Sequence, residues 1–330
     1  MSVLIIAEAG VNHNGDYNNA IRMIDEAKCS GADIIKFQTF NIDRVVSRYA
    51  KMAEYQKENL KIDTSQKEML QKLALSKEDF IAIADHCRKS GIKFLSTPFD
   101  IESIGFLNDM QDIWKIPSGE ITNYPYLVEI AKTGKDIILS TGMSTLEEVD
   151  VALNVLKKNG ARKITLLHCT TNYPTPMEEV NLKAMLTMRD RFGCDVGYSD
   201  HTKGIEVSVA AVAMGARIIE KHFTLDRTME GPDHKASLEP QELTRMVKTI
   251  RNIEKAMGDG KKVPTKTEIG NIKVARKSII AAKDIKSGEV FTEDNITTKR
   301  PGNGLSPMLW CEVLGMKAKR DFSVDEMIEL

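Results

Sequence analysis

The chain has 330 residues, 46 Lys and Arg against 47 Asp and Glu, and a formal net charge of −1. That length suits one large α/β domain with a small companion, and interspersed charge of both signs offers no basic patch for nucleic acid. No apolar run approaches the ~20 residues of a membrane span, Met1 leads directly into a strand with no room for a signal peptide, and five scattered cysteines without a CxxC pair suit reduced thiols in a cytoplasmic protein.

The first β-branched run, Leu4-Ile5-Ile6-Ala7, ends in Glu8. Residues 16–30 then place Ala20, Ile21, Ile24, Ala27 and Lys28 at helical spacing, with Gly31 as punctuation. Ile34-Ile35 runs into Lys36-Phe37-Gln38. A polar, Lys/Glu-rich insertion over 41–75 follows and is expected to help cover a site. Ser76 with Asp79 predicts a capped helix through Cys87, ending near Gly91. Phe94-Leu95 leads to Ser96-Thr97-Pro98, Trp114-Lys115-Ile116-Pro117 to Ser118-Gly119-Glu120, and Ile137-Ile138-Leu139 to Ser140-Thr141-Gly142. A helix opens at Ser144-Thr145 and runs through Lys158. Ile164-Thr165-Leu166-Leu167 gives His168-Cys169, Val196-Gly197-Tyr198 gives Ser199-Asp200-His201, and Ile218-Ile219 gives Glu220-Lys221-His222. A second insertion, 223–239, carries Gly231-Pro232-Asp233-His234-Lys235 before a last helix over 240–257 with Pro240 in its first turn.

Eight apolar runs alternating with helices predict a (β/α)8 TIM barrel over residues 1–258, because parallel strands buried on both faces read as continuous apolar runs. Active sites of such barrels gather at the carboxyl ends of the strands, where nearly every run here ends in a chemically capable group. Residues 259–275 read as a linker. Residues 276–330 lose the alternation and echo themselves, Lys283-Asp284-Ile285-Lys286-Ser287-Gly288-Glu289-Val290 against Arg320-Asp321-Phe322-Ser323-Val324-Asp325-Glu326-Met327. A small pseudo-symmetric β-rich domain is expected, with a thin core that leans on the barrel or a partner chain.

His201 and His222 end neighbouring strands and are candidate ligands for a divalent transition metal; two hydrogen-bonded imidazoles are the plainer alternative. Lys36 and Lys115 sit within apolar runs, where an amine is costly unless it points into a polar mouth. There they would meet a phosphate or carboxylate, with Ser96, Thr97, Ser118 and Ser199 as hydroxyl donors. Lys221 alternates with Glu220 and His222, so it is expected to face away and pair structurally. Glu8 and Glu120 are candidate general bases or sugar-hydroxyl partners, and His168 reads as a core histidine before it reads as a third ligand. No GxGxxG, Walker loop or Ser–His–Asp order supports nucleotide chemistry or a triad.

With these residues in place, the chain resembles the bacterial sialic acid (N-acetylneuraminate) and nonulosonic acid synthases. The resemblance rests on Ile6-Ala7-Glu8-Ala9-Gly10-Val11-Asn12-His13-Asn14-Gly15, Lys36-Phe37-Gln38-Thr39, Ser96-Thr97-Pro98-Phe99, Lys115-Ile116-Pro117-Ser118-Gly119-Glu120, Tyr173-Pro174-Thr175-Pro176, Ser199-Asp200-His201, Glu220-Lys221-His222-Phe223 and Lys299-Arg300-Pro301-Gly302-Asn303-Gly304. It covers the whole chain in order, and the C-terminal part is similar to the antifreeze-like (SAF) domain of those synthases. The resemblance implies a transferase that condenses phosphoenolpyruvate with an N-acetylated hexose, releasing phosphate by C–O cleavage. It implies metal ligation, usually of manganese (Mg2+ or Co2+ being possible), by His201 and His222. Phosphoenolpyruvate would contact Lys36, Thr97, Lys115, Ser118 and Ser199, and the acceptor sugar Gln38, Glu120, Tyr173 and Asp233. Glu8 would be the acid/base, with Asp200 or Glu120 as substitutes, and Arg300 would come from the partner of a swapped homodimer. One departure is Thr171, where some relatives carry asparagine. N-acetylmannosamine stands slightly ahead of 2,4-diacetamido-2,4,6-trideoxymannose as the acceptor, the choice between N-acetylneuraminate and legionaminate synthesis. A Schiff-base aldolase using Lys36 or Lys115 and a non-catalytic carbohydrate-binding protein are the alternatives.

Overall fold

The computed structural model describes residues 2–47, 49–50 and 65–330. Much of the expected covering insertion, Arg48 and residues 51–64, lies outside the described residues. The chain separates into two compact units, Met1–Gly258 and Asp259–Leu330. No helix among the described residues is long and apolar enough to cross a membrane.

The eight apolar runs are the eight parallel strands of the first unit. They are β1 (Leu4–Gly10), β2 (Ile34–Thr39), β3 (Lys93–Pro98), β4 (Ile113–Ile116), β5 (Asp136–Ser140), β6 (Ile164–His168), β7 (Val196–Asp200) and β8 (Ile218–His222). Their order, β3-β2-β1-β8-β7-β6-β5-β4, wraps β1 onto β8 in the TIM-barrel manner and puts Glu8 beside His222. No ladder joins β3 to β4. There the Ser96 N–H donates instead to Gln111 Oε1 at 2.8 Å, so that buried donor is still satisfied.

Strand periodicity of two sets the barrel's layers. Ile6, Ile34, Leu95, Ile138, Leu167 and Ile218 pack on one another inside the barrel, with Ile113 against them. Two residues further along each of those strands stand Glu8, Lys36, Thr97, Ser140, Cys169, Glu220 and Lys115, and every one lines the same cavity. On β7 the inward residue of the apolar layer is Gly197, where a Cβ would lie 2.4 Å from Ile218 O and 2.7 Å from Leu167 Cδ2. Its i+2 neighbour Ser199 joins the cavity. The alternate set, Ile5, Ile35, Phe37, Trp114, Leu139, Tyr198 and Ile219 among them, packs outward beneath the helices.

The expected helices are present. Tyr17–Cys29 is capped by Asp16 and buries Ala20, Met23, Ile24 and Ala27. Ile21 is only partly buried on that face and Lys28 is exposed, its amine donating to Gly91 O at 2.6 Å. Lys77–Ser90 opens on the Ser76–Asp79 capping box and closes at Gly91, φ +71°. Leu146–Lys158 opens on Thr145 and Glu148, and Pro240–Met257 carries Pro240 in its first turn. Within the insertion after β2, Ile42–Val45 and Gln66–Leu73 are helical.

In the second unit β9 (Ser278–Ala281) pairs antiparallel with β10 (Ile296–Lys299). The sequence echo is a structural one. Ile285 and Phe322, third in each repeat, exchange backbone bonds of 2.8 and 2.9 Å. Gly288 and Asp325, sixth in each, both take positive φ, and Glu289 and Glu326 each accept from the backbone N–H three residues earlier. The expected linker needs correcting: Lys266–Ala275 is a helix with a Thr265–Glu268 capping box, and it belongs to the second unit. Only residues 259–265 are irregular, and the T-x-x-E signature of that helix start was present in the sequence.

Candidate active site

The polar layer opens at the carboxyl ends of the strands as a cavity of about 390 Å3. Lys36 reaches it from β2, with Nζ 2.7 Å from Glu8 Oε2, 3.1 Å from Thr97 Oγ1 and 3.6 Å from Glu220 Oε2. Lys115 reaches it from β4, donating to Ser140 Oγ at 2.7 Å and lying 3.6 Å from Glu220 Oε1. Glu220 therefore stands between the two amines, and Ser199 Oγ donates to it at 2.8 Å. Burial alone would raise this carboxyl, but Lys115 and Lys36 overrule burial and hold it at about 2. Glu8 goes the other way: burial raises it, Lys36 opposes that, and Glu220 reinforces it. Burial works against the charge of Lys36, yet Glu220 and Glu8 carry its amine above the usual value; Lys115 is pulled below it by burial.

The two imidazoles meet across β7 and β8 with ring centroids 5.6 Å apart. Tyr173 stacks on His201 at 4.1 Å and meets His222 edge-on at 5.4 Å. His201 Nδ1 donates to Thr170 O at 2.6 Å, because a carbonyl only accepts, and this leaves Nε2 with its lone pair. The 3.3 Å contact from Ser199 Oγ does not occupy that lone pair, since the single hydroxyl proton of Ser199 is directed at Glu220. His222 Nδ1 is buried without a hydrogen-bond partner. Burial keeps both rings neutral, His201 at about 4 and His222 well below the usual imidazole range. Neutral rings with free lone pairs are the state a divalent transition metal requires, so the donor set fits one. Among the described residues no third His, Cys, Asp or Glu completes a cluster, which would leave the remaining positions to water and substrate.

Most of the expected site residues come together. Glu8, Lys36, Gln38, Thr97, Lys115, Ser118, Tyr173, Ser199, His201, His222 and Asp233 line the one cavity, as does Thr171. Gln38 Nε2 donates to Glu8 Oε1 at 3.2 Å, and Ser118 Oγ accepts from Gly142 N–H at 3.0 Å. Glu120 does not join them. It ends the short 3-10 turn Ser118–Glu120, half-buried, with its carboxylate accepting from Asn123 at 2.6 Å. Ser96 points outward and shares a hydrogen with Thr39. Asp200 also faces away: with odd and even positions on opposite faces of β7, it pairs with Lys221 at 3.1 Å and accepts from Thr202 and Ser208. That geometry removes it as a proton carrier and puts Lys221 where alternation predicted. His168 Nε2 donates to Val180 O at 2.8 Å, outside the cavity. Arg300 lies exposed in the second unit, where Nε donates to Ala275 O.

Sequence reasoning missed Glu220, although it shares the parity of His222 and that alone aims it inward. It also passed over Ser140, Cys169 and Gly142. A Cβ on Gly142 would sit 2.5 Å from Thr171 Oγ1 and 2.9 Å from Ser118 Oγ, so this glycine keeps the niche between them open. The described ends of the long insertion do take part: Val45, Met69, Leu70 and Leu73 line the cavity with Phe40 just before it, and all but Val45 cluster with Val11.

A NeuB family model matches residues 23–262 and a SAF domain model matches residues 276–329. The chain is 58% identical to the N,N'-diacetyllegionaminic acid synthase of Campylobacter jejuni over 98% of both chains. It is 44% identical to the enzyme of that name from Legionella pneumophila, over 98% of this chain and 92% of that one. The crystal structure of N-acetylneuraminic acid synthetase from Leptospira borgpetersenii superposes with a TM-score of 0.73 at 37% identity, covering 82% of this chain and 90% of the other. The protein belongs to the NeuB family, the nonulosonic acid synthases, and carries a SAF domain at its C-terminal end.

Proposed function

We propose that this synthase condenses phosphoenolpyruvate with 2,4-diacetamido-2,4,6-trideoxymannose and releases phosphate, making a diacetyllegionaminate-type acid. The observation that carries this reading is a single cavity holding two buried lysines, two neutral imidazoles and an apolar wall. Lys36 and Lys115, with Thr97, Ser118 and Ser199, suit the phosphate and carboxylate of phosphoenolpyruvate. Gln38, Tyr173 and Asp233 face the acceptor. N-acetylmannosamine led slightly on sequence; two features now favour the diacetamido sugar. One is the 58% identity to a synthase named for that product. The other is the cluster of Val11, Phe40, Met69, Leu70 and Leu73, which suits methyl groups and gives an extra hydroxyl no partner.

In this reading C3 of phosphoenolpyruvate attacks C1 of the open-chain sugar. Water adds at C2 and the resulting tetrahedral carbon expels phosphate by breaking its C–O bond. Glu8 is the group assigned to the water's proton: burial raises its carboxyl, Lys36 holds it within 2.7 Å, and Gln38 fixes its other oxygen. His201 and His222 would hold the divalent ion, manganese before magnesium or cobalt, and when bound it would supply Lewis acidity toward the sugar's carbonyl oxygen. Arg300 would be delivered by the partner in a homodimer with exchanged SAF domains.

Phosphate release measured with each sugar tests the proposal. The diacetamido-trideoxy acceptor is expected to exceed N-acetylmannosamine in kcat/KM by about 100-fold; equal or greater turnover of N-acetylmannosamine would reverse the assignment. Replacing His201 and His222 together by alanine should abolish phosphate release and remove bound manganese by elemental analysis. Borohydride with pyruvate should trap no lysine adduct, since an adduct would favour the aldolase alternative.

A further inference from the structure

Asp233 lines the cavity from the segment after β8, and that segment has little regular structure of its own. Between β8 and the Pro240–Met257 helix only His234–Ala236 forms a single 3-10 turn. Beside the segment's own Phe223–Leu238 bridge, support for Asp233 comes from the far end of the chain, the Asn12-His13-Asn14-Gly15 turn after β1. Asn12 is buried and spends both amide hydrogens there, on Phe223 O and Ser237 Oγ, each at 2.9 Å. Ser237 Oγ passes its own proton to the backbone carbonyl of Asp233 at 2.7 Å.

The second anchor has a polarity that can be derived atom by atom. Asn14 Nδ2 lies 2.9 Å from Glu230 O, and because a carbonyl only accepts, the amide orientation is settled. Asn14 Oδ1 then faces His234 Nε2 at 3.2 Å, so this nitrogen carries the hydrogen. In a neutral ring His234 Nδ1 must accept, and Thr224 Oγ1 gives its one proton to it at 2.7 Å in preference to the Asp226 carbonyl at 3.1 Å. The ring is fully buried, and burial holds it near 4. Gly231 permits the close approach: a Cβ there would come within 2.5 Å of His234 Cδ2 and 3.1 Å of Asn14 Oδ1. Glu230 and His234, the residues on either side of Gly231-Pro232-Asp233, are thus both tied to Asn14.

We propose that Asn14 and His234, with Asn12 acting through Ser237, are positioning residues that clamp the Gly231–Asp233 bend over the cavity and so set acceptor affinity. The proposal rests on the reading that Asp233 faces the acceptor sugar. None of the three touches a reacting atom. Their loss should therefore raise the KM of the acceptor while sparing that of phosphoenolpyruvate, whose assigned groups stand on other elements, β2, β3, β4, β7 and the turn after β4.

His234→Phe keeps the ring's bulk and removes both hydrogen bonds, whereas His234→Gln restores a donor toward Asn14. His234→Phe is expected to raise acceptor KM about tenfold, the equivalent of one or two net hydrogen bonds, with phosphoenolpyruvate KM within twofold. His234→Gln should recover most of that loss, and Asn14→Ala should match His234→Phe. Unchanged acceptor KM in folded His234→Phe, or an equal rise in both constants, would overturn the clamp. Amide hydrogen exchange over residues 223–239 reads the same device without any turnover. Faster exchange in His234→Phe and Asn14→Ala, reversed in His234→Gln, is expected; identical exchange in all forms would sink the proposal. If the unaltered protein turned over none of the sugars, the functional reading would fail while the exchange measurement still decided the clamp.

Discussion

Among single residues, Glu220 explains how two lysines coexist in one small cavity. An isolated buried ammonium is costly, and a pair is costlier still. One carboxylate 3.6 Å from both amines, itself accepting from Ser199, removes most of that penalty. Lys115 is the less securely held of the two, since Lys36 also has Glu8 at 2.7 Å. Lys115→Met is therefore expected to fold and to raise phosphoenolpyruvate KM by roughly 10- to 100-fold, as loss of one charged hydrogen bond does. Steady-state kinetics at saturating acceptor check this. His13 makes a different kind of prediction. It is buried and accepts from Gly15 N–H at 3.1 Å, and desolvation lowers its pKa to about 4. A base depressed in the folded state contributes stability above its unfolded value of about 6.5 and loses it as pH falls toward 4. Relative to His13→Gln, the native protein should lose up to about 3 kcal/mol between pH 7 and pH 4, measured by urea unfolding. A constant difference across that range would refute it.

At the level of elements, alternation along the strands decides which neighbours become chemistry and which become wall. On β7 and β8, Ser199, His201, Glu220 and His222 face in, while Asp200 and Lys221 form a cross-strand ion pair on the outer face. Both members of that pair are fully buried, and Asp200 also satisfies Thr202 and Ser208. Asp200→Ala leaves an unpaired buried ammonium and is expected to destabilise by about 3–5 kcal/mol. The double change Asp200→Leu with Lys221→Met should recover most of this loss in denaturant titrations. A single-mutant cost below about 1 kcal/mol would show that the pair is not desolvated as described. The strands and their polar ends were legible in the sequence because burial on both faces leaves a continuous apolar run with a sharp polar end. Glu220 was legible too, by parity with His222, but its place in the run was used only to turn Lys221 away, and no role was drawn for Glu220 itself. Glu120 was misplaced for the converse reason: a polar residue just past a strand can turn either way, and the local turn decides; Ser96 lies within β3, where alternation with Leu95 and Thr97 sends it outward.

For the whole molecule, the proposed homodimer with exchanged SAF domains makes a prediction of its own for Arg300. Arg300→Ala and His201→Ala are each expected to be inactive. If the arginine is supplied by the partner, mixing the two proteins and allowing subunits to exchange should restore activity. A mixed dimer would then pair an intact barrel with an intact Arg300. Continued inactivity of a demonstrably mixed dimer would refute delivery of the arginine by the partner.

Sequence alone determined the eight strands, their barrel, the paired histidines and lysines, and the echo within residues 276–330. All of these are periodic or local, and periodicity survives in one dimension. Tertiary structure decided what depends on distant parts of the chain meeting. Glu220 becomes the shared counter-ion only when β2, β4 and β8 converge on one layer. The helix Gln66–Leu73 becomes a wall of the cavity only when Met69 and Leu73 pack on Val11, beyond the end of β1. Asn14 becomes a clamp only because β1 closes on β8 and brings residue 14 to residue 234. Such contacts follow from closure of the barrel, a property of the folded chain as a whole, and no window of sequence contains both partners.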